Sequence, residues 1–468
     1  MELEAARKLI TKYEGLQNGF RTKAEIAMRY YTGGNDILFR KAKEPCQEEG
    51  ANPLRNADNK IAFNFHGLLV DQKAGYMFTA PPLFDTKDDA LNEIVAATLG
   101  DGYAKKCKDL CVDASNTGCG WVHYWIDDAK GFCYGVIPSI QIYPVYTTRL
   151  EKEVEAVLRT YREVDDAGEE WNVYELWNDT ECQAFRRRAD VFQPYDIFTY
   201  VDFNGLAQPS NTFRHNLGAV PFIPFPNNNV YTSDLDKIKG LVDSYDKTYS
   251  GFVDDLEDIQ QVIFILTNYG GADLKQFLSD LKYYKAIQTE SNGVDDRSGV
   301  STLTIEIPVE ARDKLLDITR KAIFDMGQGI DPQQQGFDNT SGEAMKFLYS
   351  LLELKAGMME TEFRQGFGEL VRAIGRHYGK EPEQIVQTWT RTSIRNDAEL
   401  VDMCSKSVGV ISNKTILKNH PFVENAEDEE KELAAEKKAE ATEVDMYRNA
   451  FKQQSQGGGG NGDGDGEG

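Results

Sequence analysis

Val242, Tyr245, Tyr249, Phe252, Leu256, Ile259, Ile263 and Leu266 follow one another at intervals of 3, 4, 3, 4, 3, 4 and 3 residues. A seam this regular predicts one helix over Leu235–Tyr269, roughly 50 Å long at about 1.5 Å per residue. Between Val242 and Leu266 its other faces carry Asp243, Asp246, Asp254, Asp255, Glu257 and Asp258 against the single Lys247. Such a helix must lie against something along its seam and turn its acid elsewhere. A two-stranded coiled coil would satisfy the seam on its own.

The flanking sequence places this helix in a mixed α+β chain. Helices are expected over residues 1–31, ending at Gly33-Gly34, and over Asn59–Phe78, with Ile61, Phe65, Leu68 and Leu69 on one face. Pro81-Pro82 stops the second, and a third is expected over Ala90–Asn116. From Gly118 to Pro226 the texture changes to short aromatic and β-branched runs: Trp121–Trp125, Phe132–Ile137, Gln141–Tyr146, Glu155–Tyr161 and Asn172–Trp177. Asp/Gly turns between several of them, with little helix, imply an antiparallel unit.

After Gly270-Gly271 a short helix over Asp273–Leu281 and a half-buried strand over Ser301–Ile307 form a small insertion. It is bracketed by a second helix over Val309–Met326. Next comes a loop rich in Gly, Gln and Asn, with Ser341 placed to cap a long helix over Gly342–Tyr378. Glu424–Asp445 holds ten acids and three lysines and reads as a solvated helix. The last twelve residues contain eight glycines and read as a disordered tail.

Charge and motifs narrow the function. Asp plus Glu number 76 against 52 Lys plus Arg, a net charge of −24, which argues against wrapping DNA or lying on anionic lipid. The longest apolar run is the five residues Val262–Leu266, where a membrane helix needs about 20. Met-Glu-Leu-Glu at the start has neither basic charge nor an apolar run, so no secretory signal is expected, and the seven cysteines read as reduced thiols. No P-loop, dinucleotide loop, His-Glu-x-x-His or Gly-x-Ser-x-Gly pattern occurs, and no cofactor and no catalytic residue are expected.

Two clusters carry ligand-like residue types. Cys107, Cys111, Cys119 and His123 could bind zinc, yet their spacing is wider than a zinc knuckle's and small buried cysteines read as well. Asp254, Asp255, Glu257 and Asp258 could serve a metal-dependent nuclease. Asp254 and Asp258 share a helix face, however, while Asp255 points elsewhere, and a solvated acidic face is the better reading.

Several ordered segments resemble the portal proteins of tailed bacteriophages, in the subfamily of siphophages of Gram-positive hosts. They are Asn59–Tyr76 with Pro81-Pro82, Pro144–Tyr146, His215–Phe225, Asp254–Asp258, Glu306–Arg312, Gly327–Pro332 and Ser341–Ser350, and the similarity covers residues 1 to about 425. The resemblance implies a homo-oligomeric ring, normally of twelve copies, at one capsid vertex of the virion, assembled in the host cytoplasm. Its tunnel would pass double-stranded DNA during packaging and ejection. Partners would be terminase, major capsid and scaffolding proteins, and head-completion or tail connector proteins, with no membrane. The family layout would make 1–234 a wing, 235–269 a stem helix, 270–308 a clip, 309–328 a second stem helix, 329–341 a tunnel loop, 342–445 a long helix and crown, and 446–468 the tail. Asp331, Gln333, Gln334, Gln335, Phe337, Asp338 and Asn339 would then be loop residues facing DNA. Asp254, Asp255, Glu257 and Asp258 would be stem acids facing the tunnel, repelling phosphates so that DNA slides. The alternative from another class is an oligomeric coiled-coil scaffold or adaptor that conducts no DNA.

Overall fold

The structure, a computed structural model, describes residues 2–41, 57–150, 153–202, 204–259, 263–267, 299–303, 308–333, 342–391, 397–423, 426 and 428–438. Helix α1 (Leu3–Tyr31) ends at Thr32 and Gly33, as its breakers require. Helix α2 is Phe65–Met77, shorter than expected, because the Asn64 side chain accepts from Gly67 N and caps the helix there. Residues 59–64 before it are not helical. Strand β1 (Leu83–Asp85) precedes helices α3 (Asp89–Leu99) and α4 (Tyr103–Thr117). The single helix expected over Ala90–Asn116 is thus two, divided at Gly100, whose φ of 67° breaks the spiral.

The strand texture holds. β2 (Cys119–Asp127) and β3 (Gly131–Ile137) form a hairpin, and β4 (Ile142–Tyr146), β5 (Val154–Val164), β6 (Glu170–Trp177), β7 (Glu181–Arg188) and β8 (Val191–Pro194) follow. β9 (Phe198–Val201), β10 (Ala207–Ser210), β11 (Thr212–Arg214) and β12 (Phe222–Pro226) complete the region. Every pairing is antiparallel: one sheet has the order β11-β7-β6-β5-β4 with β8 on β7, another the order β12-β2-β3, and β9 pairs β10 alone.

Helix α5 is Lys239–Ile259, 21 residues and about 32 Å. The expected helix to Tyr269 is corrected here: Ile263–Thr267 is strand β13, paired with β14 (Gly299–Leu303). A five-residue apolar run matches helical and extended periods alike, and its β-branched and aromatic residues favour the strand. The expected Asp273–Leu281 helix and residues 304–307 lie outside the described residues. Helix α6 (Val309–Gly327) and helix α7 (Gly342–His377) match the reading of the sequence closely.

Strand β15 (Val386–Thr388) pairs β1. These elements, residues 1–333 and 349–392, form one compact unit. A second, Gln334–Leu348 with Ser393–Gly468, holds helices α8 (Asp397–Lys406) and α9 (Asn413–Asn419), where Cys404 and Ile416 are buried.

Four cores hold the first unit together. The largest sets Met77 and Phe78, Leu91 and Val95, Leu110, Phe225, and Phe363 and Phe367 of α7 against one another. A second packs Ala27 and Tyr30, Phe65 and Leu69, Val242 and Tyr245, and Ile323 and Phe324. The upper part of the seam therefore buries itself against its own chain, whereas Leu256 remains 46% exposed. No described helix is long and apolar enough to cross a membrane.

Gly118, between α4 and β2, packs closely against the backbone at Tyr231. It sits at φ +89°, and a Cβ there would lie 2.3 Å from the Tyr231 carbonyl oxygen. Gly168, at φ +79° in the β5–β6 turn, faces open space. Gly168→Ala should therefore cost about 1–2 kcal/mol of left-handed strain alone. Gly118→Ala should cost at least ~3 kcal/mol because overpacking adds to that strain. Denaturant unfolding of the two variants checks the difference.

Candidate functional site

The acids of α5 are mostly occupied. Asp246 is fully buried and accepts from Phe63 N at 3.0 Å and Asn35 Nδ2 at 2.6 Å. One turn on, Ser250 Oγ accepts from Ile61 N at 3.0 Å. One turn further, Asp254 accepts from Asn59 N at 2.6 Å. These are positions i, i+4 and i+8 of a helix facing alternate amides of an extended segment. Four helical residues rise about 6 Å and two extended residues about 6.6 Å, so the two periods run in step. The segment Asn59–Phe63 is laced to α5 by a polar ladder in place of a β-sheet.

The remaining acids divide. Asp243 takes hydrogen bonds from the Tyr30 hydroxyl and from Lys239 Nζ, and Asp255 pairs with Arg312 of α6. Glu257 is exposed and accepts from Asn59 Nδ2 at 3.0 Å; the Asp258 side chain lies outside the described residues. The expectation of one solvated acidic face is thereby corrected: a backbone segment with unmet amides consumes Asp246 and Asp254, and Arg312 takes Asp255. The alternation of Asn59-Lys-Ile-Ala-Phe63 opposite acceptors four apart was the signal in the sequence. It was missed because Ile61 and Phe65 read as one helical face.

The chain after α6 is pinned at its base. Gln328 leaves the helix at φ 54°. Gly327 and Gly329 lie under Leu69 of α2, where a Cβ would meet its methyl carbons at 2.6 and 2.1 Å. Gln72 both donates to Ile330 O at 2.7 Å and accepts from Ile330 N at 3.0 Å. Arg320 reaches both Asp331 oxygens, at 2.9 and 2.7 Å. Burial works to raise the Asp331 carboxyl, but Arg320 and the Gln333 amide hold it below the usual range. Asp331 is thus an anchor of the loop, and Gln333 is exposed beside it. Gln334, Gln335, Phe337, Asp338 and Asn339 lie outside the described residues.

Behind the loop base sits a buried charge cluster. Asp234 Oδ2 lies 2.7 Å from Lys73 Nζ and 3.0 Å from Lys355 Nζ, and Asn227 Nδ2 donates to its other oxygen at 2.9 Å. Lys355 also donates to Gly327 O at 2.9 Å. Burial would raise the Asp234 carboxyl, and the two ammonium groups overcome it and hold the acid ionised. Lys355, itself buried, is lowered.

The Cys/His candidates find separate partners. Cys111 Sγ points at Met359 Sδ, Cys119 Sγ at its neighbour's carbonyl, and His123 Nδ1 contacts Pro221 O at 2.8 Å while its ring stacks on Phe222. Burial pushes the Cys107 thiol up to about 12 and Cys111 to about 11, and Cys119 is raised likewise. Burial lowers His123 to about 4. Thiols held protonated at neutral pH are not poised as nucleophiles. No group of three or more metal-ligating side chains occurs among the described residues. The features brought together position helices and a loop.

Comparison with known proteins gives this geometry a context. A family model described as phage portal protein, SPP1 Gp6-like, matches residues 13–443. The portal protein of Clostridium phage phiCD119 is 42% identical over 465 residues, covering 96% of this chain and 99% of that protein. The portal protein of Bacillus phage SPP1 is 30% identical over 419 residues, covering 86% of this chain and 81% of that protein. A chain from the neck of a native gene transfer agent particle, solved with C12 symmetry, aligns with a TM-score of 0.44 and 12% identity, covering 83% of this chain and 90% of that one.

The ladder titrates in an unusual direction. Burial drives the Asp246 carboxyl up to about 6, against the hydrogen bonds from Asn35 and Phe63. A raised carboxyl contributes stability that is present below the unfolded value near 3.8 and lost as pH rises through about 6. Asp246→Asn removes that slope. The stability gap between wild type and variant should therefore be larger at pH 4 than at pH 7, by up to about 3 kcal/mol. Urea unfolding at the two pH values measures it.

Proposed function

The chain belongs to the SPP1 Gp6-like family of phage portal proteins, and from that premise we propose that it forms a ring of about twelve copies at one capsid vertex and conducts double-stranded DNA. The ring would assemble in the host cytoplasm against scaffolding and major capsid proteins. It would receive DNA from terminase during packaging, and later seat the head-completion and tail connector proteins. ATP hydrolysis belongs to terminase in this reading, and the portal contributes a shaped, non-enzymatic channel.

On this assignment residues 1–234 are the wing, α5 and α6 the stem, and the segment between them, entered through β13 and left through β14, the clip. Residues 329–341 are the tunnel loop, and α7 leads to the crown. The observation that carries the reading is the pinned loop base. Gln72, Arg320 and Lys355 fix residues 327–331 from three directions. The stretch Gly327–Ser341 that they deliver contains glutamines and asparagine but no Lys or Arg. A conduit must touch the duplex without holding it, and amides contact phosphate without the counterion release that makes cationic contacts adhesive. Glu257, the exposed acid among the described side chains of α5, adds repulsion, whereas Asp254 and Asp255 serve the stem's own packing.

Negative-stain electron microscopy of the purified protein should give rings of twelve or thirteen subunits with an open axial hole. Dimers or solid particles would favour the scaffold reading instead. Within assembled proheads, Gln333→Arg should slow packaging, and the delay should shrink as salt is raised from about 50 to 200 mM. Packaging at the wild-type rate would remove Gln333 from the DNA path.

A further inference from the structure

Lys73 of α2, Asn227 just after β12 and Asp234 ahead of α5 close a triangle of contacts. Lys73 Nζ lies 2.7 Å from both Asn227 Oδ1 and Asp234 Oδ2, and Asn227 Nδ2 donates to Asp234 Oδ1 at 2.9 Å. The same Nδ2 donates to Thr232 O at 2.9 Å, and a carbonyl there fixes which end of the carboxamide is which. The three side chains belong to residues that are 0%, 4% and 9% exposed. A buried amine is thus set against a carboxamide, and one carboxylate bridges the nitrogen that could attack and the nitrogen that could leave.

The second lysine makes a free amine accessible. Lys355 Nζ shares Asp234 Oδ2 with Lys73, at 3.0 Å. With both amines protonated, the cluster carries one buried positive charge in excess of its carboxylate. Desolvation and a neighbouring cation both favour shedding that proton. Burial lowers Lys355, and the Lys73 charge adds to it against the pull of Asp234. Because both amines touch the same oxygen, the vacancy can pass to Lys73 and leave Lys355 as the ammonium that balances Asp234.

We propose that Lys73 and Asn227 join in an isopeptide bond. Lys73 Nζ attacks Asn227 Cγ, one bond beyond the oxygen it already touches. Asp234 takes the proton that Nζ sheds and returns it to Nδ2, the Cγ–Nδ2 bond breaks, and ammonia leaves. An amine and a primary amide thereby give a secondary amide and ammonia, with no oxidant, metal or nucleotide consumed. Holding both partners in place supplies effective molarities of about 10⁵–10⁸ M, which free amines and amides lack. Exclusion of water protects Asn227 from hydrolysis in the same step. Lys355, which faces the Gly327 backbone carbonyl, remains the counterion. The bond ties α2, with Leu69 and Gln72 under the loop base, to the end of β12 by a link that neither reductant nor denaturant opens.

Mass spectrometry of the purified, denatured full-length chain tests the bond directly. The chain should be lighter than its sequence by one ammonia. A tryptic map should show no cleavage after Lys73 and a branched peptide joining Lys73 to Asn227. A chain at its full sequence mass overturns the inference. So does an ammonia loss that maps to a cyclised asparagine elsewhere, as at Asn204-Gly205. The wild-type map decides the bond whether or not any variant folds. Lys73→Met should restore the full mass. Lys355→Met keeps the triangle but removes the surplus charge, so Lys73 stays an ammonium, and the linked fraction at a fixed early time should fall at least about tenfold. Linkage at the wild-type rate in folded Lys355→Met overturns the role given to the second lysine.

Discussion

One buried carboxylate organises the first compact unit. Asp234 stands between Lys73 of α2 and Lys355 of α7, at the entrance to α5, and Lys355 passes the connection on to the last carbonyl of α6. A buried ionic cluster contributes little net stability, because desolvation offsets the attraction. What it contributes is placement. Asp234 is the one carboxylate that both ammonium groups share, each having one further oxygen, Asn227 Oδ1 for Lys73 and Gly327 O for Lys355, so the four elements meet in one register or leave charge stranded in a low dielectric at a cost of several kcal/mol. The aromatic packing of Phe65, Tyr245 and Phe324 around Leu69 tolerates more slack than this.

From that point the structure reads outward in two directions. Toward the loop, α2 supplies Leu69 and Gln72, so the same helix that holds Lys73 also shapes the chain leaving α6. Along α5, the ladder of Asp246, Ser250 and Asp254 carries residues 59–63 to the start of α2. Acids that look like surplus surface charge are therefore structural acceptors. Glu257, Gln333 and the Leu315, Ile318 and Met326 side chains of α6 are exposed.

Much of this was legible in the sequence where the signal is local. The antiparallel strands announced themselves through aromatic and β-branched runs broken by Asp/Gly turns, and α6 and α7 through long helical periodicity. The portal family was legible through ordered short segments. Misreadings fell where one pattern fits two periods, as at Ile263–Leu266, or where a cap outweighs periodicity, as at Asn64. The cluster at Asp234 was invisible because Lys73 stands 161 residues away and no spacing rule joins them. The anchoring of Asp331 by Arg320 was equally invisible, since nothing nearby in sequence foretells that fork.

The ladder also limits how this segment can change over evolutionary time. Because alternate amides of residues 59–63 meet acceptors one helical turn apart, inserting or deleting a single residue in the segment turns the wrong set of amides toward α5. Every later rung is then lost at once. Only paired changes keep the match, two residues in the strand-like partner for four in the helix. Length variation in this region should therefore come in that ratio or be displaced to the loops on either side, a constraint no single side chain would impose.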